Sequence, residues 1–451
     1  MNKKGILLPI FSLPSKYGIG DFGNEAYEFI DILSKNKIEY WEILPIQATE
    51  KYPYSPQSYY ALNTDYISLD KLREMNLFNE HINKFFYEDS KNNQQNYKEF
   101  KEEYYKKAYL NFKPTEEYYK FKENKQIIEY AKYIEKHTGK EKEYSIFLQY
   151  ILDKQWNELK KYANSKNIKI IGDMPIYPSF NSSEVENNPQ CFQLKNGQME
   201  YVSGVPGDRY NKDGQIWGTP VYDYKYLKEN NFSYLIERYK EFLKRFDIVR
   251  IDHFIGYDIY YKIPINKSVN DGIYEKGPGS LFFDELLKIS SVERFIVEDL
   301  GIVRESTIKL RDKYSFLGSA ILQEFLDKSL DNIVYDNIDI KYKFENKVLY
   351  TGTHDCNTIV GWYKSLELKK KRKLREFLKN EKCNDLKIHK AIMKYGIKNN
   401  AKILIVPLQD VLGLDEKSRI NVPGKTLDKN WSWKLDSFKS VGKKIKCFFE
   451  W

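Results

Sequence analysis

Residues 246–254 read FDIVRIDHF, a run of β-branched and aromatic side chains that ends on Arg250, Asp252 and His253. Such a run is too short for a helix and too apolar for a loop, so it predicts a buried strand delivering a carboxylate at its end. Two other segments share the design: RFIVEDLG at 294–301 delivers Glu298, and VLYTGTHD at 348–355 delivers Asp355. Five more apolar runs lie outward from these, at 5–11 (GILLPIF), 38–46 (IEYWEILPI), 168–177 (IKIIGDMPIY), 319–325 (SAILQEF) and 401–410 (AKILIVPLQD). Near-continuous apolar runs mark strands covered on both faces, as in a parallel sheet. Stretches with helical spacing stand between several of them, such as NEAYEFIDILSKNK at 24–37 and LIERYKEFLKRF at 235–246. Eight strands joined by helical crossovers predict the α/β class and a closed (β/α)8 TIM barrel, with helical and loop insertions over its C-terminal face.

The gap between the second and third runs exceeds what a crossover needs. Residues 70–160, dense in Lys, Glu and Tyr at helical spacing, read as an inserted helical subdomain. Residues 178–232, rich in Asn, Gly and Pro and containing Trp217, read as an inserted active-site loop region. The whole chain, 1–451, is then one catalytic barrel without internal repeats.

Composition excludes several classes. With 41% hydrophobic and 30% charged residues the chain matches a globular protein, neither disordered nor membrane-embedded. The net charge of +9 comes from 73 basic and 64 acidic residues that are interspersed, so no basic stripe for nucleic acid is formed. Cys191, Cys356, Cys383 and Cys447 form no CxxC pair and no zinc-ligand spacing, which fits reduced thiols in cytoplasm. Pro9 interrupts the first apolar run, too short for a signal peptide, and no segment approaches membrane-spanning length. No metal or cofactor is implied.

Carboxylates gathered at strand ends are what acetal chemistry on sugars requires. In the 250–253 sequence Arg-Ile-Asp-His, alternation puts Arg250 and Asp252 on one face, where the guanidinium would orient the carboxylate and keep it ionised. The plainer alternative is a structural salt bridge at a strand end. Glu298, partly buried, would be held protonated as an acid catalyst, while Gly301 permits a tight departure of the chain. Against this, Glu298 or Asp299 would simply cap the following helix, and Asp299 is the better candidate for that duty. His253 and His354, two of only five histidines, abut strand-end aspartates and suit hydrogen bonding to sugar hydroxyls, or else a structural role. Gln215 and Trp217 in GQIWG, with Tyr54 and Tyr210, offer polar contacts and flat apolar faces to a pyranose ring.

Together these segments resemble a known family, the 4-alpha-glucanotransferases called amylomaltases or disproportionating enzymes, glycoside hydrolase family 77. The resemblance runs in one order through nearly the whole chain: residues 147–178, DIVRIDHFIGY, IVEDLG, TGTHD and RINVPGKTLDKNWSWK. It implies that Asp252 is the nucleophile, Glu298 the general acid and base, and Asp355 the transition-state stabiliser. By the same resemblance Arg250, His253 and His354 surround the donor glucose, Asp173 of GDMP lines that pocket, and Tyr54 is a glucan contact although Tyr52 replaces the usual Ser of the family's SPY segment. The partners implied are maltodextrin or another alpha-1,4-glucan as donor and acceptor. Departures from the family pattern at Gly207, Arg209-Tyr210, Glu186 and Cys356-Asn357 bear on acceptor preference and product size. Two alternatives stay open at this level: a hydrolase or branching enzyme of the alpha-amylase superfamily, and a glucan-binding protein without turnover.

Overall fold

The computed structural model describes residues 3–50, 52–82, 93–207, 212–330, 344–399 and 401–449. All eight apolar runs supply a strand: β1 (Lys3–Leu7), β2 (Tyr40–Ile43), β3 (Lys169–Met174), β4 (Ile248–Ile251), β5 (Phe295–Val297), β6 (Gly318–Ile321), β7 (Lys347–Tyr350) and β8 (Ile403–Pro407). They are parallel and hydrogen-bonded in the order β5-β4-β3-β2-β1-β8-β7-β6. A parallel bridge between Ile296 and Leu317, with the Val297 amide donating to the Leu317 carbonyl at 2.9 Å, brings β5 against β6 and closes the barrel.

The crossover helices form because apolar residues recur every three or four positions. In the helix Asn24–Lys35 the buried face is Ala26, Phe29, Ile30 and Leu33; in Ser233–Arg245 it includes Leu235, Ile236, Tyr239 and Phe242. The run at 319–325 proves to be two elements. Strand β6 stops at Ile321, and Leu322, Phe325, Leu326 and Leu330 continue as the buried face of a helix, Leu322–Leu330. A run apolar throughout hides that change of period.

Helices Leu69–Glu74, Asn93–Asn111, Glu116–Lys122, Lys125–Thr138 and Lys142–Ser165 fill the long gap before β3. Tyr104, Tyr105, Tyr118, Tyr130 and Tyr144 are buried within this layer, so the Tyr density there is packing. The last helix runs past position 160 into the barrel's own shell, where Trp156 packs on Phe22 and Phe246 with ring centroids 5.2 and 5.6 Å apart. Residues 178–232 are more regular than a loop. Strands Tyr201–Val205 and Gln215–Pro220 join Ile259–Pro264 and Ile273–Lys276 in a four-stranded antiparallel sheet. Half of that sheet comes from beyond β4, so its pairing is invisible in the local sequence. Gly204 is required at the centre, since a Cβ there would stand 2.3 Å from the Gln215 carbonyl oxygen.

The barrel interior has two storeys. Tyr40, Ile171, Ile248, Ile296 and Val348 point inward as an apolar cluster of their own. Two residues further along each strand the same face presents Glu42, Asp173, Arg250, Glu298 and Tyr350. The interior therefore turns from hydrocarbon to charge at the C-terminal ends of the strands, where barrel enzymes place their chemistry.

Candidate active site

Arg250 is the centre of the polar storey and is 1% exposed. Its Nη1 lies 2.5 Å from Asp173 Oδ2 and 3.9 Å from Asp252 Oδ1, and its Nη2 lies 3.1 Å from Glu298 Oε1. The register makes this possible, because Asp173 on β3 stands directly opposite Arg250 on β4. Arg250 thus reaches Asp252, as alternation along the strand suggests, while its shorter contacts go to Asp173 and Glu298.

Asp252 and Glu298 extend from the ends of adjacent strands, and their carboxyl groups are close enough to share a hydrogen bond. Burial, then the charges of Glu298 and Asp173, push Asp252 well above the ordinary carboxyl range. Burial also opposes the charge of Glu298, but Arg250, the hydrogen bond from Asp252 and the His253 amide outweigh it and hold that group at about 2. The two carboxyl groups therefore titrate as a pair, with Asp252 raised and Glu298 lowered. The reason is the position of the guanidinium, nearer to Glu298 by the distances above.

The backbone completes the arrangement. His253 has φ of 48°, in the left-handed region that few non-glycine residues adopt. That turn aims the His253 amide at Glu298 Oε2, to which it donates at 2.9 Å. Burial lowers the His253 imidazole to about 4, so the ring is neutral. Gly301, with φ of 90°, makes the sharp exit after β5. Asp299 does not cap the next helix, Glu305–Lys313, whose N-cap is Arg304. It accepts from the Ser319 amide at 2.7 Å and pairs with Arg311 at 2.5 Å and Lys347 at 2.8 Å, stitching β5 to β6 and β7.

Asp355 follows β7 on the same face of the barrel. Asn421 Nδ2 donates to its Oδ1 at 2.6 Å, Arg419 Nη2 donates to its carbonyl at 2.6 Å, and His354 Nε2 is 3.5 Å from its Oδ2. His354 in turn stacks on Tyr54, ring centroids 5.0 Å apart at 17°, and the Tyr54 hydroxyl donates to Asp173 Oδ2 at 2.6 Å. Asp355 is therefore connected to the Arg250 cluster through His354, Tyr54 and Asp173. On the opposite rim Trp217 meets the His253 ring edge-on at 4.8 Å, and its indole N–H donates to Gln215 Oε1 at 3.1 Å. Tyr210 lies outside the described residues.

Four residues escaped sequence reasoning. Asn421 and Arg419 sit in RINVPG, a segment noted for its resemblance but given no role, and only the fold carries it back to Asp355. Glu42 and Tyr350 form a buried pair, the Tyr350 hydroxyl donating to Glu42 Oε2 at 2.9 Å. The signal for Glu42 was present: an acid in the middle of an otherwise apolar strand.

A closed parallel barrel with acids clustered at the ends of β4, β5 and β7 defines an enzyme of the (β/α)8 type. The model of glycoside hydrolase family 77, described as 4-alpha-glucanotransferase, matches residues 8–138 and 128–439, and the chain belongs to this family. The 4-alpha-glucanotransferase of Clostridium butyricum is 38% identical over 94% of either chain, and that of Aquifex aeolicus (strain VF5) is 34% identical over 96% of either chain. Among solved structures, the amylomaltase from Streptococcus agalactiae in complex with acarbose superposes with a TM-score of 0.89 at 30% identity, covering 100% of this chain and 99% of that one.

Proposed function

We propose that this chain transfers alpha-1,4-glucan segments between maltodextrins by a retaining double displacement, with Asp252 as nucleophile, Glu298 as acid and base, and Asp355 as stabiliser of the transition state. The observation that carries this reading is that Asp252 and Glu298, at the ends of adjacent strands, both reach one buried guanidinium, Arg250, at 3.9 and 3.1 Å. Retaining enzymes hold two such groups about 5–5.5 Å apart across the scissile bond, a separation that the ends of adjacent barrel strands can supply. The chemistry requires the pair's proton on Glu298 when the glycosidic oxygen arrives. The substrate selects that arrangement: its glycosidic oxygen needs a proton donor, and its anomeric carbon, gaining positive charge, favours an ionised Asp252. No net charge moves into or out of the site. Asp252 then attacks the anomeric carbon while Glu298 protonates the leaving oxygen, giving a covalent glycosyl-enzyme. Glu298, now ionised beside Arg250, takes the proton from the incoming hydroxyl as its oxygen bonds to the anomeric carbon and the Asp252 carboxylate leaves.

Transfer requires that a glucan hydroxyl outcompete water at about 55 M, so the acceptor must be held in near-attack geometry. Trp217, braced by Gln215 and the His253 ring, is the surface we assign to that task; Tyr54 and His354, stacked beside Asp173, line the donor side. The free state of Cys191, Cys356, Cys383 and Cys447 supports a cytoplasmic site of action, and no described helix is long and apolar enough to cross a membrane.

Chromatography of products from the pure chain and maltotriose tests the proposal. A ladder of longer maltodextrins with free glucose is expected, the first products carrying the α configuration by proton NMR. Shorter products alone would replace transfer by hydrolysis, and binding without products would end the enzymatic reading.

A further inference from the structure

Counting charge in the polar storey of the barrel exposes an imbalance. One guanidinium, Arg250, faces four carboxyl groups: Glu42, Asp173, Asp252 and Glu298. The contacts of Arg250 at 2.5 and 3.1 Å go to Asp173 and Glu298, and the next, at 3.9 Å, to Asp252. Glu42 is 1% exposed, and its hydrogen bond comes from a phenol on the other side of the barrel, Tyr350 on β7. A buried carboxyl partnered by a neutral hydroxyl rather than a cation is more stable with its proton on. The residues in register with Glu42 on the two neighbouring strands, Leu7 on β1 and Ile171 on β3, carry no charge to offset its ionisation.

We propose that Glu42 is a positioning residue which works as a neutral carboxylic acid in the polar storey shared with Arg250, leaving the guanidinium free to hold Asp173 and Glu298, and that ionisation of Glu42 closes the working range on the alkaline side. This rests on the reading of Asp252 and Glu298 given above and adds a residue to it. Burial, with the negative charges of Asp173 and Glu298, raises Glu42 to about 8 against the opposing effects of Arg250 and the Tyr350 hydrogen bond. Below that value the proton is in place. Above it, a further negative charge competes for Arg250 and strengthens the hold of Glu298 on its proton, which slows protonation of the leaving group.

The test is the pH profile of kcat/KM for maltotriose disproportionation in the full chain and in Glu42→Gln, which reproduces the shape and neutrality of the protonated acid. In the unaltered chain activity is expected to fall about tenfold from its plateau by one pH unit above the Glu42 pKa, whereas Glu42→Gln should hold its plateau there. Glu42→Ala, which opens a cavity in the polar storey, should lose kcat at every pH, and Gln should restore it. Profiles of the unaltered chain and Glu42→Gln that superimpose would overturn the proposal, and so would a loss of kcat in Glu42→Gln at neutral pH, which would mean that the ionised form is needed. Should Glu42→Gln fail to fold, Tyr350→Phe gives the answer: removing a hydrogen bond that favours the carboxylate must move the alkaline limb upward, and an unmoved limb refutes the role. If the unaltered chain makes no transfer products, the functional reading itself falls. If it does and the variants track it at every pH, only the role of Glu42 falls.

Discussion

Replacing Arg250 by Met probes the whole polar storey at once. Methionine keeps the apolar stem and much of the volume but removes the charge and every donor. Asp173, 0% exposed, loses the guanidinium that lies 2.5 Å away, and Glu298 loses the one at 3.1 Å. Breaking a buried ion pair by deleting one partner costs about 3–5 kcal/mol, and with two carboxylates orphaned the upper half of that range is expected. The loss must also depend on pH. Glu298 is held at about 2, so it contributes stability that is fully present above its unfolded value and disappears as pH falls through 2. The variant lacks most of that contribution. The gap between the two proteins is therefore widest at neutral pH and narrows below about pH 4. Urea unfolding followed by tryptophan fluorescence, at neutral pH and at two acidic values, measures it. Activity should fall at least about 100-fold in kcat/KM, because Glu298 is no longer held in position. A variant as stable as its parent at neutral pH, or a deficit that does not change with pH, would refute the assignment of Arg250 as the anchor of these carboxylates.

Asp252→Asn should abolish turnover with an unchanged circular dichroism spectrum, and retained activity would remove Asp252 as nucleophile. Glu298→Gln should cost roughly 10²–10⁴ in kcat on maltotriose while sparing cleavage of α-maltotriosyl fluoride, whose leaving group needs no proton; equal losses on both donors would argue against the acid role. Trp217→Ala should raise the ratio of hydrolysis to transfer on maltotriose, and an unchanged ratio would discard it as the acceptor surface. Tyr54→Phe removes the 2.6 Å hydrogen bond to Asp173 and should lower kcat/KM by about tenfold, in line with about 1.5 kcal/mol for a bond to a charged group; no change would confine Tyr54 to stacking on His354.

Much of this molecule is legible along the chain. The eight strands announce themselves because burial on both faces demands uninterrupted β-branched and aromatic runs, and a local composition can meet that demand. The positions of Asp252, Glu298 and Asp355 are legible for the same reason: each is the first acid after a run, and a strand end in a parallel barrel faces the site. The sheet built from 201–205, 215–220, 259–264 and 273–276 is not legible, since its short strands, broken by Gly and Pro, find partners on the far side of β4. Nor is the link from Asn421 to Asp355, which spans 66 positions.

The opposite shifts of Asp252 and Glu298 and the raised value of Glu42 come from the tertiary structure alone. Strand alternation placed Arg250 and Asp252 on one face, and from the sequence that was enough to pair them. The barrel then set Asp173 opposite Arg250, brought Glu298 to 3.1 Å and left Asp252 at 3.9 Å. Burial removes the water that would blunt such differences, so the distance to the guanidinium and the depth of burial set the direction in which each acid shifts. Residue types and their period determine which groups reach the site; the register and closure of the sheet determine what charge they carry there.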